Sequence, residues 1–149
     1  HERSPVLYNR RTDVKRDYVH VDDVVDLLQR VLIHERRHDA DVFNVCSEVG
    51  HSVPELFEAF RVASGKAIEA TYRDPAEYWD RYPSLFAGPF PLSRDRVKAE
   101  VYKSAIGSNT KARHEFDWHP TLDLTAGVQS VYHDALHRFS LAGPMPRTG

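Results

Sequence analysis

The sequence predicts an α/β fold in which short strands alternate with amphipathic helices. Residues 16–21 alternate between two sets of side chains with strand periodicity, and apolar residues then recur at helical spacing up to position 34. Residues 42–46 carry apolar side chains on both faces, which is typical of a strand in a sheet covered on both sides. A length of 149 residues with 41% hydrophobic and 28% charged residues suits one domain of ordinary size.

The first elements are bounded by local signals. Residues 5–8 and 16–21 are predicted strands, and residues 22–34 are a predicted helix. Asp22 or Asp23 is expected to be the N-cap of this helix, because a carboxylate satisfies free amides and complements the positive end of the helix dipole.

The second helix carries the clearest boundary signals in the chain. Ser52 and Glu55 form a capping-box pattern with Pro54 in the first turn, and Gly65 is the expected C-terminal glycine. The pattern predicts a helix over residues 53–64, and residues 66–72 follow as a predicted strand.

The second half is broken by prolines at positions 75, 83, 89 and 91. Residues 76–82 and 94–103 are predicted helical segments, and Asn109 or Thr110 caps a short helix ending at Phe116. Asp123 caps a final helix that reaches position 139, so the domain is expected over residues 1–139 with a flexible tail over 140–149.

Arg16 and Tyr18 are the first candidate site residues. A guanidinium grips phosphate oxygens through its planar fork, and a phenol two residues later on the same strand face can contact what the diphosphate carries. The alternative is a surface charge beside a half-buried strand aromatic. A group of aromatic residues is either a stacking platform for a sugar or a local core under a long loop. This group comprises Tyr72, Tyr78, Trp79, Tyr82, Phe86 and Phe90.

Several stretches resemble one family in the same order. The segment Arg-Asp-Tyr-Val-His-Val-Asp-Asp-Val at residues 16–24 resembles the motif that opens the carboxyl-terminal part of NAD-dependent nucleotide-sugar epimerases and dehydratases. These enzymes are extended short-chain dehydrogenases/reductases of the UDP-glucose 4-epimerase type. The other matching stretches are residues 42–47, 50–56, 109–113, 116–120 and 122–127.

The resemblance implies the carboxyl-terminal portion of a Rossmann-like enzyme, incomplete without its amino-terminal cofactor half. The family's glycine-rich dinucleotide loop and Tyr-x-x-x-Lys catalytic pair do not occur in the 149 residues. The implied function is therefore substrate binding in an NAD-dependent epimerase that transiently oxidises and then reduces a sugar carbon. NAD and every catalytic residue would belong to the amino-terminal half, and this chain alone is expected to be inactive.

The resemblance also implies residue roles. Arg16 would hold the diphosphate, Tyr18 would contact the nucleotide, and Val53 would pack near the base. Asn44 would have a structural role beside the pocket. Arg73 is placed in the substrate site, and the second cation for the diphosphate comes from a set of four arginines that the pattern does not resolve. The set is Arg73, Arg81, Arg94 and Arg96.

Composition limits the partners. A net charge of −2 gives no bulk attraction to nucleic acid or membrane, and no apolar run reaches membrane-spanning length. A single cysteine, Cys46, excludes an internal disulfide and is expected to be a buried apolar filler. No secretory leader is visible, so a cytoplasmic protein is expected. The partners are a nucleotide-sugar and the cofactor half, and a homodimer is left open.

Two other functions compete with this interpretation. A non-catalytic binding or assembly module could retain the fold without the chemistry. A zinc hydrolase is suggested by His34-Glu35-Arg36-Arg37-His38, which matches the H-E-x-x-H pattern. The match lies at a helix end and places two arginines beside the metal, so a polar helix terminus is the favoured interpretation of His34 and His38.

Overall fold

Helices account for most of the secondary structure in the computed structural model, which describes residues 4–35 and 41–142. None of the helices within these ranges is long and apolar enough to cross a membrane. A 3-10 turn, Pro83–Phe86, lies between the helices called α3 and α4 below. The elements are β1 (Val6–Leu7), β2 (Arg16–Asp17), α1 (Val21–Ile33), β3 (Gly50–His51), α2 (Val53–Ser64), β4 (Thr71–Tyr72), α3 (Pro75–Trp79), α4 (Arg94–Val101), α5 (Thr110–Phe116) and α6 (Leu124–Ala142).

The strands form two short pairs. β1 and β4 are parallel, with Val6 opposite Thr71. β2 and β3 are antiparallel, with Arg16 opposite His51, and the backbone of Arg16 also bridges to Ala105 in parallel. The backbone of Arg16 is therefore paired with a neighbouring segment on each side.

The core lies where α1 meets α5. Leu27, Phe116 and Trp118 are buried together with Ala112, and Phe43 and Val45 pack against them. The Trp118 indole Nε1 donates to the carbonyl oxygen of Asp23 at 3.0 Å. α2 packs along α6 as a separate helix pair.

The predicted α2 is confirmed in detail. Ser52 Oγ accepts from the Glu55 amide, and the Glu55 carboxylate accepts from the Ser52 amide at 2.6 Å. Gly65 ends the helix with φ 64°, the left-handed conformation that glycine adopts without strain.

The predicted start of α1 is wrong. Sheet pairing ends at Asp17 instead of continuing to position 21, and His20 is the N-cap, with its ring accepting from the Asp22 amide. Asp23 is unavailable as a cap because its buried carboxylate accepts from the Thr121 amide and hydroxyl, both at 2.8 Å, and from the Leu122 amide. Asp23 therefore binds residues about a hundred positions away instead of capping its own helix.

The predicted strand over residues 42–46 is also wrong, since these residues have no sheet pairing within the described ranges. Phe43 and Val45 face the core, whereas Val42 is 78% exposed and Asn44 is exposed. A strand needs a hydrogen-bonded neighbour, and the part of the chain that the structure describes supplies none here.

The remaining bounds shift by a few residues. Pairing in the predicted strand 66–72 is limited to β4, α3 ends at Trp79, and α4 ends at Val101. Asn109 occupies the N-cap position of α5 without a side-chain cap, because its Oδ1 accepts from Arg113 at 2.9 Å while its Nδ2 donates to the Cys46 carbonyl oxygen. α6 continues to Ala142, so the predicted tail begins as helix, and residues 143–149 lie outside the described residues.

One face of α1 is apolar and uncovered. Val21, Val25, Leu28 and Leu32 follow one another at spacings of four, three and four, and their exposed fractions run from 44% to 84%. The opposite face carries the buried Leu27. α1 therefore presents an exposed apolar stripe of these four residues.

Candidate functional site

Arg16 is held by the backbone around it. It is half-buried on β2, and its guanidinium donates to the carbonyl oxygens of Glu100 and Lys103 at the carboxyl-terminal end of α4. A cation is favoured there by the helix dipole. Arginine has five N–H donors, so these two bonds leave donors available to a ligand.

Arg16 lines two cavities. The aromatic cavity has a volume of about 290 Å³ and the arginine cavity about 430 Å³. Arg16, Trp79 and Val101 belong to the lining of both. The aromatic cavity is lined by Tyr8, Asn9, Val14, Arg16, Val53, Pro75, Tyr78, Trp79 and Val101. The arginine cavity is lined by Arg16, Trp79, Leu92, Ser93, Arg96, Val97, Glu100 and Val101.

Asp17 fixes the backbone from which Arg16 projects. Its Oδ1 accepts from the Ser47 amide at 2.7 Å and from the Ser47 hydroxyl at 2.6 Å. Its Oδ2 accepts from the amides of Glu48 at 3.0 Å and Gly107 at 3.2 Å. One carboxylate thus joins three segments of the chain, a role that the sequence did not indicate.

Glu48 is a second organising carboxylate. It has a left-handed backbone with φ 64°, which is uncommon outside glycine. Its side chain accepts from the Ser108 hydroxyl and the Asn109 amide, both at 2.8 Å, and from Arg113 at 2.9 Å. Hydrogen bonds from Ser108 and Asn109 are the main reason that the pKa of Glu48 lies below its ordinary value.

Glu55 fixes the start of α2, where Val53 enters the aromatic cavity. Lys15 Nζ donates to Glu55 Oε2 at 2.6 Å, and the Ser52 amide and hydroxyl donate to the same oxygen. The Lys15 hydrogen bond, followed by those from Ser52, lowers the pKa of Glu55 to about 2. Arg16 and Val53 line the same cavity.

Tyr18 lines neither of the cavities at Arg16. It borders a groove of about 640 Å³ together with Ser47, His51 and the segment 120–125. Burial raises the pKa of the Tyr18 phenol, and the nearby Arg16 charge opposes this shift. The chain leaves the strand after Asp17, so Arg16 and Tyr18 do not share a strand face.

Arg96 is the arginine of the proposed set that shares a cavity with Arg16. Arg73 is exposed, lies 3.9 Å from Glu77, and borders neither cavity. Arg81 donates to the Tyr8 hydroxyl at 3.2 Å, and Arg94 pairs with Asp80 at 2.6 Å.

Other predicted residues have structural contacts. Asn44 donates from its side chain to the Ser108 carbonyl oxygen at 3.2 Å. Cys46 is buried, and burial is the main cause that raises the pKa of its thiol. His34 ends α1 with its ring edge-on to Phe116, and His38 lies outside the described residues. Residues 4–35 and 41–142 contain no group of three or more metal-ligating side chains.

Comparison with known proteins points to nucleotide-sugar enzymes. A family model described as GDP-mannose 4,6 dehydratase matches residues 1–131. UDP-arabinose 4-epimerase 1 of Arabidopsis thaliana is 29% identical over 121 residues, which cover 76% of this chain and 27% of the relative.

Solved structures share the fold. UDP-glucose 4-epimerase from Thermotoga maritima, solved with UDP-glucose, matches with a TM-score of 0.61 and 25% identity over 89% of this chain and 36% of that chain. UDP-glucose 4-epimerase from Bifidobacterium longum, solved with NAD+ and UDP, matches with a TM-score of 0.60 and 21% identity over 84% of this chain and 32% of that chain. The predicted α/β fold, part of a Rossmann-like enzyme, is therefore confirmed. The chain spans about a quarter of the curated relative's length and about a third of these solved chains.

Proposed function

The chain belongs to the GDP-mannose 4,6-dehydratase family of nucleotide-sugar epimerases and dehydratases, and on that premise we propose that it binds the nucleotide-sugar in an NAD-dependent epimerase. The observation that carries the proposal is the position of Arg16. Its backbone is paired on both sides, its guanidinium is oriented by two carbonyl oxygens, and it lines two cavities at once.

A diphosphate fits the charges of the arginine cavity. Arg16 and Arg96 contribute two guanidinium groups, each able to bond a pair of phosphate oxygens. Ser93, the N-cap of α4, lies in the same lining, where the helix dipole favours an anion. Glu100 adds a negative charge to this lining, which disfavours an anion. Its carboxylate is 3.5 Å from Lys103 Nζ, which offsets part of that charge.

The residues of this chain do not suit the dinucleotide itself. Gly50 and Gly107 are packed against side chains, Gly107 against Cys46, so neither opens a cradle for phosphate. The left-handed glycines Gly65 and Gly88 stand apart in the chain, with nothing within 4 Å of a Cβ placed on either. In our proposal NAD and hydride transfer belong to the rest of the enzyme, and this chain binds and orients the substrate.

The proposal is tested by replacing Arg16 with alanine in the intact enzyme. Binding of UDP, GDP and dTDP is measured by calorimetry, and the nucleotide that binds the parent should bind Arg16→Ala about 1.5–3 kcal/mol more weakly, the range for hydrogen bonds to charged groups. Arg16→Lys should recover only part of the loss, because it keeps the charge without the fork.

Arg73→Ala is the matched control. It removes an arginine that borders neither cavity, so nucleotide affinity should stay at the parent value. Unchanged affinity in Arg16→Ala, or no binding of any of the three nucleotides to the parent, would overturn the proposal. A thermal melt of each variant separates loss of binding from loss of folding.

A further inference from the structure

One wall of the aromatic cavity is built from three rings. The Tyr8 and Tyr78 ring centroids are 5.3 Å apart at 66°, and those of Tyr78 and Trp79 are 5.5 Å apart at 87°. Edge-to-face contact at these distances is an arrangement that aromatic pairs prefer. Two of the rings, those of Tyr78 and Trp79, lie in α3.

Apart from Arg16, the polar side chains of the aromatic cavity already have hydrogen-bond partners. The Asn9 amide nitrogen donates to the Val101 carbonyl oxygen at 3.3 Å, and its oxygen accepts from the Arg11 amide at 3.0 Å. The Tyr8 hydroxyl accepts from Arg81, and hydrogen bonding with Tyr82 is the main cause that raises the pKa of the Tyr78 phenol. Most of the remaining lining is apolar.

This chemistry distinguishes the two ends of a nucleotide-sugar. A sugar ring carries several hydroxyl groups that need hydrogen-bond partners once they leave water. A nucleobase presents a flat π-face, which stacks on an aromatic ring without such partners. The aromatic cavity therefore suits the base better than the sugar.

We infer that Tyr78 and Trp79 form the base-recognition wall, and that the bound nucleoside diphosphate runs from the aromatic cavity past Arg16 into the arginine cavity. The inference rests on the proposed function and adds the orientation of the substrate. Val53 packs against the base from the start of α2, and Trp79 borders both cavities. The sugar then lies on the side of Arg96 and Ser93.

The first test compares ligands with and without a base on the intact enzyme. Among UDP, GDP and dTDP, the nucleotide that the parent binds is used. Trp79→Leu should lower the affinity for it by about ten-fold or more, since base stacking on an aromatic residue accounts for such a factor. Inorganic pyrophosphate should bind Trp79→Leu as it binds the parent. Arg16→Ala should weaken both classes of ligand, which separates the anion contact from the base contact.

Phe90→Leu is the matched control, because Phe90 is 93% exposed and lines neither cavity. It should leave nucleotide affinity unchanged. An equal loss for nucleotide and pyrophosphate in Trp79→Leu would overturn the inference, as would an unchanged nucleotide affinity. In either case an Arg16-dependent affinity would leave the proposed function standing.

The second test follows the indole directly. Trp79 is half-exposed, whereas Trp118 is fully buried, so acrylamide quenching should report on Trp79. Subtracting the emission of a Trp79→Phe variant isolates the signal of residue 79. Saturating nucleotide should protect this signal and pyrophosphate should not. An indole equally quenchable with and without bound nucleotide would contradict a stacked base.

Discussion

Two regions that meet at Arg16 are built in different ways. The frame, comprising residues 14–18, 46–52 and 105–109, contains the buried Val14, Cys46, Ser52 and Asn109 and two carboxylates with several donors each. The exposed segment, residues 73–102, is fully described, and none of its residues is buried. It is held by ring contacts and by exposed ion pairs such as Arg94 with Asp80.

The difference separates two tasks. The half-buried carboxylates Asp17 and Glu48 each accept several hydrogen bonds and so fix a position, because losing one of them leaves its donors without a partner. Exposed ion pairs contribute little to stability, so a segment held by them tolerates sequence change. The frame thus fixes Arg16, to which we assign anion binding, and the exposed segment supplies the wall that we assign to base recognition.

The two tryptophans give the largest contrast. Trp118→Ala should lower the free energy of unfolding by about 4 kcal/mol, because it empties a fully buried site and removes the donor to Asp23. Trp79→Ala in the exposed segment should lower it by only about 1 kcal/mol. Urea unfolding measures both values, and similar losses would break the distinction between the regions.

A pair of aspartates gives the next contrast. Asp17→Asn replaces a carboxylate that accepts four hydrogen bonds with an amide that cannot accept them all, so unfolding free energy should fall by about 2–3 kcal/mol. Asp80→Asn breaks an exposed ion pair and should cost less than about 1 kcal/mol. The comparison fails if Asp80→Asn lowers the free energy of unfolding, measured by urea denaturation, more than Asp17→Asn does.

The smallest expected effect is the pH dependence of Glu55. Its folded pKa of about 2 lies below the ordinary value of 4.5, so its stabilising contribution is present above pH 4.5 and is lost as pH falls towards 2. The side chain is 47% exposed, so solvent limits this contribution to less than about 1 kcal/mol. Parent and Glu55→Gln should differ in urea unfolding at pH 6 and converge near pH 2. A gap that persists at low pH would show that the carboxylate charge is not its cause.

Local signals in the sequence were sufficient for some elements. The capping box at Ser52 and Glu55, the glycine at position 65 and the short helix ending at Phe116 depend on neighbours a few residues apart, and all three predictions are confirmed. The order of family motifs was sufficient to predict the fold class, whereas the roles that the resemblance implies for Arg16 and Val53 stay predictions.

Long-range partners account for the rest. Asp23 binds residues 121 and 122, and Asp17 binds residues 47, 48 and 107, at separations that no local pattern encodes. The end of pairing at Asp17 also places Tyr18 in a groove that Arg16 does not line. Tyr78 and Trp79 of the aromatic group share a cavity with Arg16. The sequence did not predict this contact, because the prolines between these residues and α4 leave the path of the chain undetermined.

The apolar stripe of α1 has a practical consequence. Four aliphatic side chains in a row along a helix favour self-association in water, because each contact removes hydrocarbon from solvent. Prepared by itself, the 149-residue polypeptide should be prone to precipitate as its concentration rises. Replacing Leu28 and Leu32 with lysine or glutamate should keep the polypeptide in solution at concentrations suited to spectroscopy.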